Sequence, residues 1–220
     1  MELKGFYNMD CMEGMKEIPD KYFDLAIVDP PYGGADAIGL TDNKTNGKQA
    51  TKRTEYKVFD NVAPTEEYFN ELKRVSKEQI IWGVNFYKVL GLEGGRIVWD
   101  KKGTVFGRAE IAYYSKSKSV QIFEYAWNGM IQGNMKNKEI RTHPTQKPVA
   151  LYHWLLNNYA KEGDKILDTH VGSASSLIAC HDLKFEYLGF ELDEDYYNTA
   201  TERIKKHTAQ VNIFDVLEGN

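Results

Sequence analysis

The sequence predicts an α/β fold, doubly wound around a largely parallel sheet, on three observations. Short apolar runs alternate with amphipathic stretches along the chain. Most of those runs are apolar on both faces and rich in β-branched or aromatic residues, the composition of strands buried in a parallel sheet. A length of 220 residues, 42% hydrophobic and 27% charged, suffices for one continuous core, so one domain is expected over 1–220.

Taken in chain order, strands are expected at FDLAIV (23–28), QIIWGV (79–84), RIVW (96–99), EIAYY (110–114), KILD (165–168) and EYLGF (186–190). Helices are expected at 64–76, 146–161, 174–183 and 193–207, the last carrying Tyr196, Tyr197, Ala200 and Ile204 at helical spacing. Residues 33–57 break the alternation, being rich in Gly, Asn, Thr and Lys without periodicity. A loop this long in a compact domain is usually functional or disordered, and a mobile basic loop is expected over 34–57.

A net charge of -4 argues against coating nucleic acid by bulk electrostatics, so any basic surface must be local. The clearest candidates for phosphate contact are Lys44, Lys48, Lys52, Arg53 and Lys57, with a second series at Lys101, Lys102, Arg108, Lys116 and Lys118. Cys11 and Cys180 lack ligand or redox spacing, so neither a disulfide nor a metal site is expected. With no signal-peptide stretch and no segment near the roughly 20 apolar residues that span a bilayer, a soluble cytoplasmic protein is expected, without a membrane partner.

Asp29-Pro30-Pro31-Tyr32 follows FDLAIV and so lies at the carboxyl end of an expected strand, where open α/β sheets build ligand sites. Two prolines stiffen the turn and remove two backbone donors. An exocyclic base amine is a poor nucleophile because its lone pair is delocalised into the ring. The Asp29 carboxylate and the Pro30 carbonyl could accept its two hydrogens and localise that pair, while Tyr32 offers a face for stacking. A base inside a duplex would have to be flipped out to reach them.

In the carboxyl-terminal half, KILD ends at Asp168 and runs into Gly172-Ser173-Ala174-Ser175 and a helix, a turn that lets a ligand approach backbone. EYLGF ends at Glu191 about twenty residues later, where an acidic residue can take ribose hydroxyls. Without GxGxxG or a Walker lysine, the cofactor need not carry a pyrophosphate.

The chain resembles the DNA amino-methyltransferases in their permuted β-class arrangement. The resemblance rests on residues 7–33, RIVWDKK (96–102), AEIAYYSK (109–116), THPTQKP (142–148), and 165–176 with 188–204, in that order. It implies a Rossmann-like methyltransferase sheet, circularly permuted so that the DPPY segment precedes the cofactor segment. It implies S-adenosylmethionine as cofactor and flipped adenine N6 in duplex DNA as target; cytosine N4, RNA adenine and a catalytically silent binding module are alternatives. An Asp before the Pro-Pro pair is more typical of the family's adenine enzymes, and Ser of its cytosine-N4 enzymes. The transfer needs no metal and no covalent enzyme intermediate.

By the same resemblance, Asp10 and the Cys11 backbone read the cofactor's adenine, and Glu191, followed by Leu192, binds its ribose. Asp168, Thr169, His170, Gly172, Ser173, Ala174 and Ser175 line the methionine end, and Thr145 and Lys147 close the pocket near its carboxylate. His143 orders its loop rather than serving as a base. Residues 117–141 stand where the family recognises its target sequence, and their shortness favours a short site or a homodimer; a partner restriction endonuclease is a further possible partner. Where the family commonly has Asp-Pro-Phe-x-Gly-Ser-Gly-Thr, this chain has Thr169, His170 and Ala174 in place of Pro, Phe and Gly.

Overall fold

The computed structural model describes residues 1–33, 62–88, 93–103, 107–128 and 131–217. The expected basic loop over 34–57, with Lys44, Lys48, Lys52, Arg53 and Lys57, lies outside the described residues.

Among the described residues the eight strands are β1 (Gly5–Asn8), β2 (Phe23–Val28), β3 (Ser76–Trp82), β4 (Gly95–Asp100), β5 (Ala109–Tyr114), β6 (Val120–Glu124), β7 (Lys165–Asp168) and β8 (Glu186–Glu191). The helices are α1 (Cys11–Lys16), α2 (Glu66–Val75), α3 (Val149–Tyr159), α4 (Ser175–Asp182) and α5 (Glu194–Leu217). One sheet runs β1-β8-β7-β2-β3-β5-β4-β6, with β5 antiparallel to both neighbours and every other pairing parallel. This is the doubly wound Rossmann-like arrangement that the alternating pattern predicts.

Strand β2 is central, and its alternation serves two cores. Ala26 and Val28 pack with Phe69 and Leu72 of α2, whereas Leu25 and Ile27 pack with Leu151 and Leu155 of α3. A strand buried on both faces in this way reads as a continuous apolar run, which is why FDLAIV is legible. Chain order reverses at the centre: β2 leads through α2 to β3 on one side, and β7 leads through α4 to β8 on the other. The carboxyl ends of β2 and β7 therefore flank the switch point, the crevice where such sheets bind ligands. Helix α5 closes the far side, with Ala200 packed against Val171, Ala174 and Leu177. Asp182 at the end of α4 bridges His153 of α3 (2.9 Å) and His207 of α5 (2.6 Å).

Several elements differ from expectation. β3 begins at Ser76 directly after α2, and it ends before Gly83, whose φ of 72° turns the chain away. β1, α1 and β6 are additional. β6 takes residues 120–124 of the short insert into the sheet as an edge strand on β4. No helix among the described residues is long and apolar enough to cross a membrane.

Candidate active site

Two strand ends and one loop build a single cleft, enclosing about 770 Å³ of space that is partly open to solvent. Asp29 to Tyr32 line one end, His170 to Ser173 and Glu191 the other, and His143 to Lys147 run between them.

At the β2 end the Asp29 carboxylate is fully engaged. Its Oδ1 accepts from the Tyr32 hydroxyl at 2.7 Å and its Oδ2 from Lys147 Nζ at 2.5 Å. Lys147, only 3% exposed, also meets Glu110 Oε2 at 2.8 Å and donates to the Tyr32 hydroxyl oxygen at 3.1 Å. Glu110 in turn is paired with Lys101. Burial raises the Asp29 pKa above the ordinary carboxylate value despite the lysine beside it. Burial pushes Glu110 the same way, but Lys147 and Lys101 outweigh it and hold its carboxyl down at about 2. Burial alone would lower the Lys147 pKa; Asp29 and Glu110 together hold it above normal.

The Lys147 ammonium is thus held by Asp29, Glu110 and Tyr32 at the DPPY turn. The Pro30 carbonyl already accepts the Tyr87 hydroxyl at 2.7 Å, and the Tyr32 ring is stacked on Phe86, centroids 4.7 Å apart and planes 11° from parallel. A base stacking on that side of Tyr32 would have to displace Phe86, which is 43% exposed. A Cβ on Gly83 would fall 2.2 Å from the Tyr32 ring, so only glycine there leaves the ring its seat.

At the other end, Asp168 Oδ1 accepts from the His170 amide at 3.0 Å and Oδ2 from the Ser176 hydroxyl. Glu191 holds the same turn, Oε2 accepting from the Gly172 amide at 2.8 Å and Oε1 from the Asp193 amide at 3.0 Å. Among the described residues neither acid has a basic partner. Burial, helped by the nearby Asp29 and Glu191 charges, lifts Asp168 to about 7 against the two donors that hold it. His170 and His143 are pushed by burial to about 4, so both imidazoles are neutral at pH 7. Gly172 and Ala174 lie in the left-handed region at φ 54° and 64°; Ala174 occupies the position where the family commonly has glycine.

Asp10 is the N-cap of α1, its Oδ1 accepting from the Met12 amide at 2.7 Å. Pairing of Asn8 with Glu191 in the β1–β8 ladder brings Asp10, Cys11 and Leu192 to neighbouring strand ends beside the cleft. Burial raises the Cys11 thiol to about 12, an unreactive thiol. The Thr145 hydroxyl lies 3.1 Å from His143 Nδ1, which fits an ordering role for that histidine. Glu110, Phe86, Tyr87 and Arg203 complete the site unanticipated. Arg203 of α5 donates to the Ser173 carbonyl at 2.5 Å and to Ser175 Oγ at 2.9 Å, and pairs with Glu139 at 2.7 Å, bracing the turn from behind.

The comparisons with known proteins fall on this frame. Residues 98–202 match the family model of the N6 and N4 methyltransferases, described as a DNA methylase. The type II methyltransferase M.HpaI of Haemophilus parainfluenzae is 25% identical over 251 residues, covering 95% of this chain and 76% of that protein. Both likenesses are to DNA amino-methyltransferases. Among solved structures, the M1.HpyAVI complex with SAM superposes with a TM-score of 0.54 at 19% identity, covering 90% of this chain and 98% of that one. The cytosine-N4-specific PvuII DNA methyltransferase gives 0.58 at 14% identity, covering 98% and 93%. At such identities these two establish the shared fold.

Proposed function

We propose that this chain is a DNA amino-methyltransferase that transfers a methyl group from S-adenosylmethionine to N6 of an adenine flipped out of duplex DNA. The observation that carries the reading is that the Asp29–Tyr32 turn and residues His170–Ser173 of the turn after β7, each following the carboxyl end of a central strand, line one cleft. The buried Asp168 and the half-buried Glu191, neither with a basic partner among the described residues, fit a ligand that brings its own positive charge and hydroxyls. On this reading Glu191 holds the ribose, Asp168 faces the cationic methionine end, and the turn between them closes on the ligand through backbone. Bound S-adenosylmethionine supplies an activated methyl group, so the chain itself need only orient and polarise the amine.

Asp29 does that as a charged acceptor, stronger than a hydroxyl, for one amine hydrogen. The second lone pair of the Pro30 carbonyl, beside the one that receives Tyr87, serves the other hydrogen. The carboxylate also stabilises the positive charge that develops on the amine, and by the resemblance an Asp before the Pro-Pro pair favours adenine. Cytosine N4 is the second reading, because the same acceptors suit either amine. Outside the described residues, Lys44, Lys48, Lys52, Arg53 and Lys57 supply phosphate contacts on this proposal.

The test incubates the protein with methyl-labelled S-adenosylmethionine and mixed-sequence duplex DNA, with an RNA duplex in parallel, and identifies the labelled nucleoside after digestion. N6-methyladenine from DNA is expected. Label confined to N4-methylcytosine would overturn the adenine assignment, and label only from RNA the DNA assignment. Asp29→Ala should keep its cofactor affinity while losing transfer by ~100-fold or more, with Asp29→Asn between it and the wild type.

A further inference from the structure

We infer that Glu110 is a positioning residue for this reaction: it takes up the Tyr32 hydroxyl and shares Lys147, so that an oxygen of Asp29 is open to a hydrogen of the target amine. The inference rests on the proposed methyl transfer and concerns a residue to which the sequence pattern assigns no role.

The argument is one of hydrogen-bond accounting. Lys147 has three N–H groups and three acceptors, Asp29 Oδ2 at 2.5 Å, Glu110 Oε2 at 2.8 Å and the Tyr32 hydroxyl oxygen at 3.1 Å, so it is saturated. Tyr32 has one hydroxyl hydrogen and two carboxylates in reach, Asp29 Oδ1 at 2.7 Å and Glu110 Oε2 at 3.4 Å. While that hydrogen points at Asp29, each carboxylate oxygen already carries one bond, and Oδ1 shares its charge with the phenol. Rotation about the phenolic C–O bond moves the hydrogen to Glu110 and vacates a lone pair on Oδ1, with little heavy-atom movement and no proton changing its owner. An amine entering the cleft then has a charged acceptor waiting for it. Without Glu110, Tyr32 has Asp29 as its remaining carboxylate partner.

Charge gives the same answer. Asp29 and Glu110 against Lys147 and Lys101 sum to zero when all four are ionised, and Lys101 anchors the far oxygen of Glu110. Neutralising Glu110 leaves Lys147 with Asp29 alone, a tighter pair that the amine must break. The other groups facing Asp29 are Tyr32 on its own turn, Tyr87 through the Pro30 carbonyl, Asp168 at the end of β7 and Tyr152 on α3. None of these can replace the share that Glu110 takes of Lys147. Because the Glu110 charge favours the protonated form of Asp29 and Lys147 opposes it, removing the former must lower the Asp29 midpoint.

The test uses full-length protein with ¹³C-labelled aspartate carboxyls, the Asp29 resonance being assigned with Asp29→Asn, and compares wild type, Glu110→Gln and Glu110→Asp. Thermal melts establish that each variant is folded. Glu110→Gln should lower the Asp29 midpoint by about one pH unit and slow single-turnover transfer about tenfold at unchanged cofactor affinity, with Glu110→Asp restoring most of both. An Asp29 midpoint that stays in place in Glu110→Gln, or a Gln variant that transfers at the wild-type rate, overturns the inference. Failure of the wild type to methylate either nucleic acid would sink the proposed function instead, and the carboxyl titration would still decide whether Glu110 acts on Asp29.

Discussion

Asp168 offers a test of the cofactor site that does not depend on the target base. It lies 2% exposed beneath the His170–Ser173 turn, unpaired with any base among the described residues, and burial lifts it to about 7. A cationic ligand beside it must pull that value down, so binding releases a proton, and affinity must fall as pH drops below about 7. With a free-protein value of about 7, the ionised fraction is about one in eleven at pH 6 and about ten in eleven at pH 8, which makes the dissociation constant about tenfold weaker at pH 6. Calorimetry at the two pH values in buffers of different ionisation heat reads both the ratio and the proton released. Asp168→Asn keeps an acceptor for the His170 amide and a group for Ser176, and should lose the pH dependence while any titration of the ligand itself remains. Stability provides the control with the opposite sign. The folded pKa lies above the unfolded one, so the stability contributed by this group is complete below about pH 4 and is lost as pH rises through about 7. Asp168→Asn should therefore melt higher than wild type at pH 8 and not at pH 4. A cofactor affinity flat between pH 6 and pH 8 would refute the placement of the cationic end at Asp168.

Three further outcomes follow from the same contacts. Glu191→Ala removes the acceptor for the Gly172 and Asp193 amides and, on the proposed function, a ribose contact. Cofactor binding should weaken by about 1–3 kcal/mol in calorimetric titration, and unchanged affinity would sink the assignment. Arg203→Met should cost about 2 kcal/mol in urea unfolding, less than a fully buried pair because its side chain and that of Glu139 remain 15% and 19% exposed. Adding Glu139→Gln should then cost less than the sum of the two single changes. Ala174→Gly relieves a left-handed alanine, worth about 1–2 kcal/mol, but frees the unfolded chain by about 0.4–1 and exposes a buried methyl site worth about 0.8. The net change in melting experiments should stay within about 1 kcal/mol of zero; a loss above about 2 would mean that packing of the methyl dominates.

What the sequence reveals and what it hides divide on physical grounds. β2, β7 and β8 are legible because they are buried on both faces and end in acids at the switch point; Asp29, Asp168 and Glu191 stand out for the same reason. β1 and β6 are hard to see because they are edge strands: no residue of GFYN is fully buried, and Val120 and Ile122 of β6 are 61% and 60% exposed. The α1 helix is six residues long, too short for periodicity to register. At the site, Lys147 could be numbered but not aimed, because its partners Asp29 and Glu110 lie 118 and 37 positions away in the chain. Only the adjacency of β5 to β3, itself beside β2, carries Glu110 to the DPPY turn. Yet a signal for Glu110 was present. It shares strand parity with Ala112 and Tyr114, both of which face the core, so a carboxylate stands in phase with the buried face of its strand. A charge in that phase is costly unless it is paired, so its occurrence demands a basic partner in the interior. Lys147, followed by a proline that starts α3, is the lysine that the fold delivers there. Buried charges on strand interiors therefore mark the support of a site in the same way that acids at strand ends mark its reacting groups, and the pairing of the two kinds is what a fold adds to a sequence.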